Sequence, residues 1–183
     1  ISFETLYVYA VKKSSLLKDL EKHKITDIHY FAKGKRGLVY KAVYSGKTVI
    51  VKVQHPDAIT PSTVQFEATW LKKLNPHKIG PKLFFATEHF LVMEFIEGYL
   101  FEEFLKTQQK KDILLMIKKL LQQMYLFDSL GINKYEMNHP DKHVIIRKVI
   151  PILIDFDRCR YTEDPKNVTQ AVQFITAMRI TLL

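Results

Sequence analysis

A single cysteine, Cys159, stands in 183 residues, so an internal disulfide framework is excluded and the chain suits a reducing compartment. No apolar run approaches the roughly 18 residues that a membrane span needs, and the N-terminus lacks the basic-then-apolar layout of a signal peptide. The expected localisation is cytoplasmic, with no membrane partner. Arginine is scarce as well, at 5 residues beside 23 lysines. Because arginine is the preferred residue for forked contacts to phosphates and bases, the net charge of +9 reads first as a solvated Lys/Glu surface. An acidic partner, RNA or an RNA-associated complex, is the second reading of that charge.

What is present is enough for one ordinary domain, or two small lobes sharing a core, since 47% of the residues are hydrophobic. There is no low-complexity tract and no internal repeat. Residues 14–24, SSLLKDLEKHK, read as a short helix capped by Ser14 or Ser15, and LYVYAV before it as a strand. From 27 to 54 the pattern turns β-branched and aromatic, with SGK at 45–47 as a hairpin turn, which predicts about three antiparallel strands. Thr60 and Pro61 open a helix that puts Val64, Glu67, Ala68, Leu71 and Leu74 on one face. KLFFATEHFLVMEFIEG adds two strands ending at Gly98, so the first half is a five-stranded sheet with one inserted helix.

The second half is mostly helical. A buried helix runs from an Asp112 cap to Gly131, a polar loop follows, then a hairpin of HVII and VIPILIDFD, then a last helix from about Asp164-Pro165.

Two glycine stretches invite a phosphate reading. SGKT at 45–48 is a decoy, because a P-loop needs an earlier glycine where Lys41 stands, and a helix where Val49–Val53 continue a strand. AKGKRGLV, residues 32–39, fits the G-x-G-x-x-G-x-V loop of protein kinases at Gly34, Gly37 and Val39, with Ala32 in the first glycine place. Backbone N–H groups there can approach phosphate oxygens closely, and Lys35 and Arg36 at the tip add positive potential. The plainer reading is a glycine-rich hairpin. Thirteen residues after Val39, however, VIVK places Lys52 inside an apolar strand, matching V-A-I-K, and an interior lysine calls for a counter-charge. Glu67, on the inward face of the next helix, is the candidate partner.

With these residues in order the chain resembles the protein kinase superfamily, and most of all the minimal prokaryotic kinases akin to RIO kinases and to the kinase of the KEOPS complex. The resemblance spans about residues 27–178 and implies an α+β, protein kinase-like two-lobed fold. Residues 1–26 would be an N-terminal extension with a short helix, 27–94 an N-lobe of an antiparallel five-stranded sheet plus one helix, and 95–183 a reduced, mainly helical C-lobe. It implies ATP as cofactor with Mg²⁺ or Mn²⁺, and a protein acceptor. FLVMEFIEG resembles the hinge, with Met93 as gatekeeper and the backbones of Glu94 and Ile96 facing an adenine; Ile50 takes the place of the small alanine that usually roofs it. LIDFDRC resembles the D-F-G segment, with Asp155 as metal ligand and Asp157 in the glycine place.

The loop KYEMNHPDKHVII then corresponds to H-R-D-x-x-x-x-N, so Lys134, Tyr135 and Glu136 occupy its first three places and Glu136 stands where the catalytic aspartate belongs. A glutamate can orient a hydroxyl or accept a proton, one methylene further out. The second metal ligand has two candidates. Direct counting gives Asp141, whereas the strand starting at Val144 gives His143. Magnesium's liking for hard oxygen favours Asp141. A zinc cluster of His139, Asp141 and His143 is the alternative, against which Pro140 and the following strand argue.

Only nine residues lie between Asp155 and Pro165, leaving no room for the segment that grips a peptide in larger kinases, a departure shared with the RIO and KEOPS types. The leading expectation is an ATP- and Mg²⁺-dependent Ser/Thr kinase acting on itself or a partner, with Lys52, Glu136 and Asp155 as catalytic residues. A nucleotide-binding pseudokinase or scaffold is the alternative. A small-molecule phosphotransferase of the aminoglycoside or choline kinase type is disfavoured by the short second half.

Overall fold

The computed structural model describes residues 16–33, 37–54, 63–137 and 139–177. Its architecture is α+β. A helix α1 over residues 16–22 leads into strands β1 (Ile25–Lys33), β2 (Gly37–Tyr44) and β3 (Lys47–Gln54). Helix α2 (Thr63–Leu74) precedes β4 (Leu83–Ala86) and β5 (Phe90–Glu94), and the five strands form one antiparallel sheet in the order β1-β2-β3-β5-β4. The Ser45–Gly46 turn has positive φ at both residues, 50° and 71°, the combination that matches the right-handed twist of a two-residue hairpin. Between β4 and β5 the Thr87 hydroxyl accepts from the N–H groups of His89 and Phe90, closing that hairpin with a side chain.

Alternation along β3 assigns its two faces. Val49, Val51 and Val53 turn one way and pack with Leu20, Ile25, Ala42, Phe90 and Val92 into a core. Leu20 brings α1 into that core. The other face carries Ile50 and Lys52.

Two units are distinguished, Ile1–Gln65 with Leu83–Phe95, and Phe66–Lys82 with Ile96–Leu183. The break after Phe95 lies one residue beyond the expected boundary, and most of α2 groups with the second unit. The expected inward face of α2 is buried at Val64, Glu67, Ala68, Leu71 and Leu74.

The second unit continues with β6 (Tyr99–Leu100), α3 (Phe101–Thr107), α4 (Lys110–Ser129), β7 (Ile132–Asn133), β8 (Val144–Arg147), β9 (Ile150–Leu153), β10 (Arg160–Tyr161) and α5 (Asn167–Ala177). β6, β8 and β9 form one small antiparallel sheet, and β7 pairs with β10. α4 buries Ile113, Met116, Ile117, Leu120, Met124 and Phe127, a stripe at helical spacing. Gln123 ties it to β9 by donating to the Pro151 carbonyl at 2.8 Å.

Several expectations are corrected here. α4 starts two residues before Asp112, with Gln109 in the cap place, so Asp112 sits in the first turn, where its charge still suits the helix dipole. The helix is buried along one stripe only, since Leu114, Leu115 and Tyr125 are exposed. β5 ends at Glu94, not Gly98, and α3 and the β7–β10 pair were unforeseen. α5 begins at Asn167. The proposed caps Ser14, Ser15, Thr60 and Pro61 and the strand LYVYAV fall outside the described residues. No described helix is long and apolar enough to cross a membrane.

Candidate functional site

The polar loop after α4 is built from a fixed start. Gly131, at φ 66°, ends the helix in the left-handed conformation, and its carbonyl accepts from the Thr162 N–H at 2.9 Å. β7 then pairs with β10, so the loop leaves a pinned strand at Lys134. Lys134 is only 2% exposed. Its N–H donates to Asn167 Oδ1 at 2.8 Å and its ammonium to the Asp155 carbonyl at 2.9 Å, 5.1 Å from the centre of the Phe156 ring. Neither burial nor partners were read from the sequence, where no neighbouring residue marks this lysine as interior.

Tyr135 and Glu136 follow with φ of 51° and 65°, two consecutive left-handed residues that are not glycine. Such residues cost about 1–3 kcal/mol each and persist only where their surroundings hold them. The Arg160 guanidinium lies 4.3 Å over the Tyr135 ring, and the Glu136 carbonyl accepts from the His139 N–H at 3.0 Å. The Glu136 carboxylate pairs through Oε1 with Arg158 Nη1 and stands with Oε2 at 3.4 Å from His143 Nε2. Arg158 was missed in the sequence; its one signal is a position three residues past Asp155, within reach of a turn.

Pro140–Lys142 form one 3-10 turn, which delivers His143 to the start of β8. The His143 ring places Nδ1 at 4.0 Å from Asp155 Oδ2, and that nitrogen has no hydrogen-bond partner among the described residues. Burial, and then the Lys134 charge, hold the imidazole below its ordinary 6.5, against the opposing pull of Asp155, Glu136 and Asp141. Asp141, which also acts on His143, lies 3.9 Å from His139 Nδ1 in the wall of a cavity of about 540 Å³ with Leu100, Glu102, Glu103, Lys106 and Thr107, and its buried Oδ1 has no hydrogen-bond partner among the described residues.

Asp155, just past β9, has φ of 64°. The next residue, Phe156, is fully buried, and its N–H faces Glu67 Oε1 at 3.5 Å. Cys159 closes the turn by donating its N–H to the Phe156 carbonyl at 3.2 Å. Its thiol, desolvated, is pushed up to about 12.

The second unit therefore gathers Glu136, His143 and Asp155, with Lys134 and Glu67 around the Asp155–Phe156 link. Among the described residues no three His, Cys, Asp or Glu side chains converge as a ready metal cage. A magnesium site needs less from the protein, since the ion keeps waters and takes one or two carboxylates beside substrate phosphates. The partly exposed Asp155 carboxylate fits that demand; His143 Nδ1 stands 4.0 Å from it, and both second candidates, His143 Nδ1 and Asp141 Oδ1, are buried atoms without a hydrogen-bond partner among the described residues.

In the first unit, strand register places four of the expected nucleotide-contacting residues on one sheet face. Val39 pairs with Lys52 and Lys52 with Leu91, while Ile50 pairs with Met93. Lys52 is half-buried there, beside buried Ile50 and Met93. Glu94 ends β5 opposite Val49, on the core face. Ile96 is buried in the second unit. Gly37 opens β2, and a Cβ on it would run into the Val53 carbonyl, so glycine is required there by close packing of two strands. Gly34, Lys35 and Arg36 lie outside the described residues. No model of a known protein family matches the chain, and no curated protein matches it.

Proposed function

We propose that this chain is an ATP- and Mg²⁺-dependent phosphotransferase of the protein kinase type, transferring to a Ser or Thr hydroxyl of itself or of a protein partner. One observation carries the reading: Glu136 and Asp155, far apart in sequence, approach the same imidazole, that of His143, at 3.4 and 4.0 Å. This gives one place a carboxylate that can orient an acceptor hydroxyl and another that can hold a cation. Lys52, on the sheet face shared with Val39, Ile50 and Met93, is the phosphate-binding lysine in this reading.

In the reaction the hydroxyl oxygen attacks the γ-phosphorus, the bond to the bridging oxygen breaks, and ADP leaves with that bond's electron pair. Glu136 takes a hydrogen bond from the hydroxyl and receives its proton. Asp155, with His143 as second donor, would hold the cation, which when bound would neutralise phosphate charge. Catalysis of this kind is chiefly positioning and electrostatics.

A second reading has its own support. Both Glu136 oxygens already have protein neighbours, Arg158 and His143, as they would in a nucleotide-binding module that no longer transfers phosphate. Incubation with γ-labelled ATP and Mg²⁺ or Mn²⁺ decides between them, following protein-bound label and released phosphate, with Asp155→Ala as control. Metal-dependent label lost in the variant is the expected result. No label or phosphate release, with ATP still raising the Tm, would leave the module without transfer.

A further inference from the structure

His143 lies between the two carboxylates of the site, and its ring nitrogens meet them differently. Nε2 stands 3.4 Å from Glu136 Oε2. Nδ1 stands 4.0 Å from Asp155 Oδ2, as a buried atom with no hydrogen-bond partner among the described residues. We infer that the imidazole keeps its proton on Nε2, toward Glu136, and offers the bare Nδ1 to a cation held with Asp155, so that the site favours a nitrogen-accepting first-row dication over Mg²⁺. Glu136 then acts on that ion as a positioning residue, through His143. The inference rests on Asp155 as the metal-holding residue of the reading above, and Mg²⁺ becomes the weaker occupant of the site.

Proton placement comes first. An uncharged imidazole has one donor and one acceptor nitrogen, and a carboxylate only accepts. The proton is best placed on the nitrogen with the nearer carboxylate, which is Nε2. Nδ1 then presents a lone pair to the Asp155 carboxylate across 4.0 Å, two acceptors that repel until a cation comes between them. Metal bonds of about 2.1 Å let two ligands of one ion lie up to ~4.2 Å apart, so these two atoms can share an ion. A bond from the far nitrogen of a ligand histidine to a carboxylate fixes the tautomer and makes the near nitrogen a stronger donor.

The arrangement is held from both sides. The His143 side chain is 13% exposed, which leaves its ring little room to turn. Its carbonyl accepts from the Ile154 N–H at 2.9 Å, and Val144 pairs with Leu153, so the backbone carrying the ring is tied to the residue just before Asp155. Arg158 takes Glu136 Oε1 and leaves Oε2 to the imidazole. Donor chemistry then sets the choice of ion. Mg²⁺ takes hard oxygens and gives up its waters reluctantly. Imidazole nitrogen suits the later first-row dications, whose affinities rise along the series. An oxygen donor at position 143 would remove that bias, so the preference belongs to this one side chain.

Mn²⁺ bound to the wild-type protein with ATP reports its own ligands by electron spin-echo modulation, a measurement that needs no variant to fold. Modulation from a directly bound nitrogen that changes when the protein carries ¹⁵N-histidine is the expected result, lost in His143→Asn. Half-saturating Co²⁺ and Mg²⁺, each measured with ATP present, should part company in that variant: Co²⁺ about tenfold or more weaker, Mg²⁺ equal or tighter. Glu136→Ala should weaken Co²⁺ about tenfold, and Glu136→Gln, which keeps an acceptor for the Nε2 proton, should recover part of that loss. Mn²⁺ without a histidine nitrogen in wild type would overturn the inference, even in a protein that transfers label from ATP. Wild-type Co²⁺ saturation in Glu136→Ala would remove Glu136 as a positioning residue. Histidine nitrogen on Mn²⁺ in a protein that transfers no label would keep the mixed-donor site and end the phosphotransferase reading, whereas uptake of no dication would overturn both.

Discussion

Arg158 donates through Nη1 to Glu136 Oε1, tying the residue proposed as catalytic to the turn that follows Asp155. Both side chains are over a third exposed, so the pair adds little to stability. Its effect is geometric, because it fixes where one carboxylate oxygen lies while the other stays near His143. Glu136→Ala should lower phosphate transfer at least about a hundredfold while the Tm increase produced by ATP persists. Arg158→Ala should lower kcat about tenfold by releasing the carboxylate, with KM for ATP unchanged and partial recovery in Arg158→Lys. A Glu136→Ala protein that turns over at the wild-type rate would remove Glu136 from the mechanism.

His143 gives the metal-free protein a pH dependence of known sign. Its folded-state value is depressed below 6.5, first by burial and then by Lys134, so the unfolded chain takes up a proton that the folded chain refuses. Stability is therefore expected to fall as pH drops below 6.5 and to level off below the folded value. Urea midpoints measured in EDTA from pH 8 to pH 5 should decline less steeply in His143→Gln than in wild type. Equal slopes would mean that the imidazole is not desolvated in solution.

Gly80 is a packing and backbone requirement at once. Its φ is 75°, and a Cβ there would lie 2.8 and 2.9 Å from Phe156 ring atoms and 3.0 Å from Leu71 Cδ2. Gly80→Ala should destabilise by about 2–4 kcal/mol, combining left-handed strain with overpacking against a fully buried ring. Because Phe156 follows Asp155, the same substitution should weaken metal binding. Denaturant unfolding that shows under about 0.5 kcal/mol of change would indicate that the ring has room to move.

Cys159 should be chemically silent in the folded protein. It is 1% exposed and desolvation pushes its thiol up to about 12, so almost no thiolate exists at pH 8. An aromatic disulfide reagent should label it only as fast as the chain unfolds. The raised value also means that stability declines as pH rises above 9.0, where the unfolded thiol ionises and the folded one does not. Rapid labelling under native conditions would contradict the burial.

Local patterns foretold the elements that carry their own periodicity. The two-residue turn at Ser45–Gly46 and the alternation of Val49, Val51 and Val53 are visible because strand side chains repeat every second residue. The buried α2 face is visible for the same reason at helical spacing. α3 escaped notice because FEEFLKT makes only two turns, too few for a period to stand out. The breadth of apolar residues on α4 misled, since burial of one stripe leaves Leu114, Leu115 and Tyr125 outside whatever their chemistry.

The sequence by itself determined which polar residues sit at strand ends and turns, among them Glu136 and Asp155, because turn residues and hydrophobic periods are properties of neighbours along the chain. Only the tertiary structure decided which of them meet. The Pro140–Lys142 turn is one such case, since it leaves His143 at 4.0 Å from Asp155 and Asp141 at 3.9 Å from His139. The partners of the Asp155–Phe156 peptide are another: Lys134 is 21 residues from Asp155 and 33 from Asn167, and Phe156 is 89 from Glu67. Contacts at those separations leave no local period, and they form only where helix packing and sheet register bring buried polar groups within hydrogen-bond reach and satisfy them together.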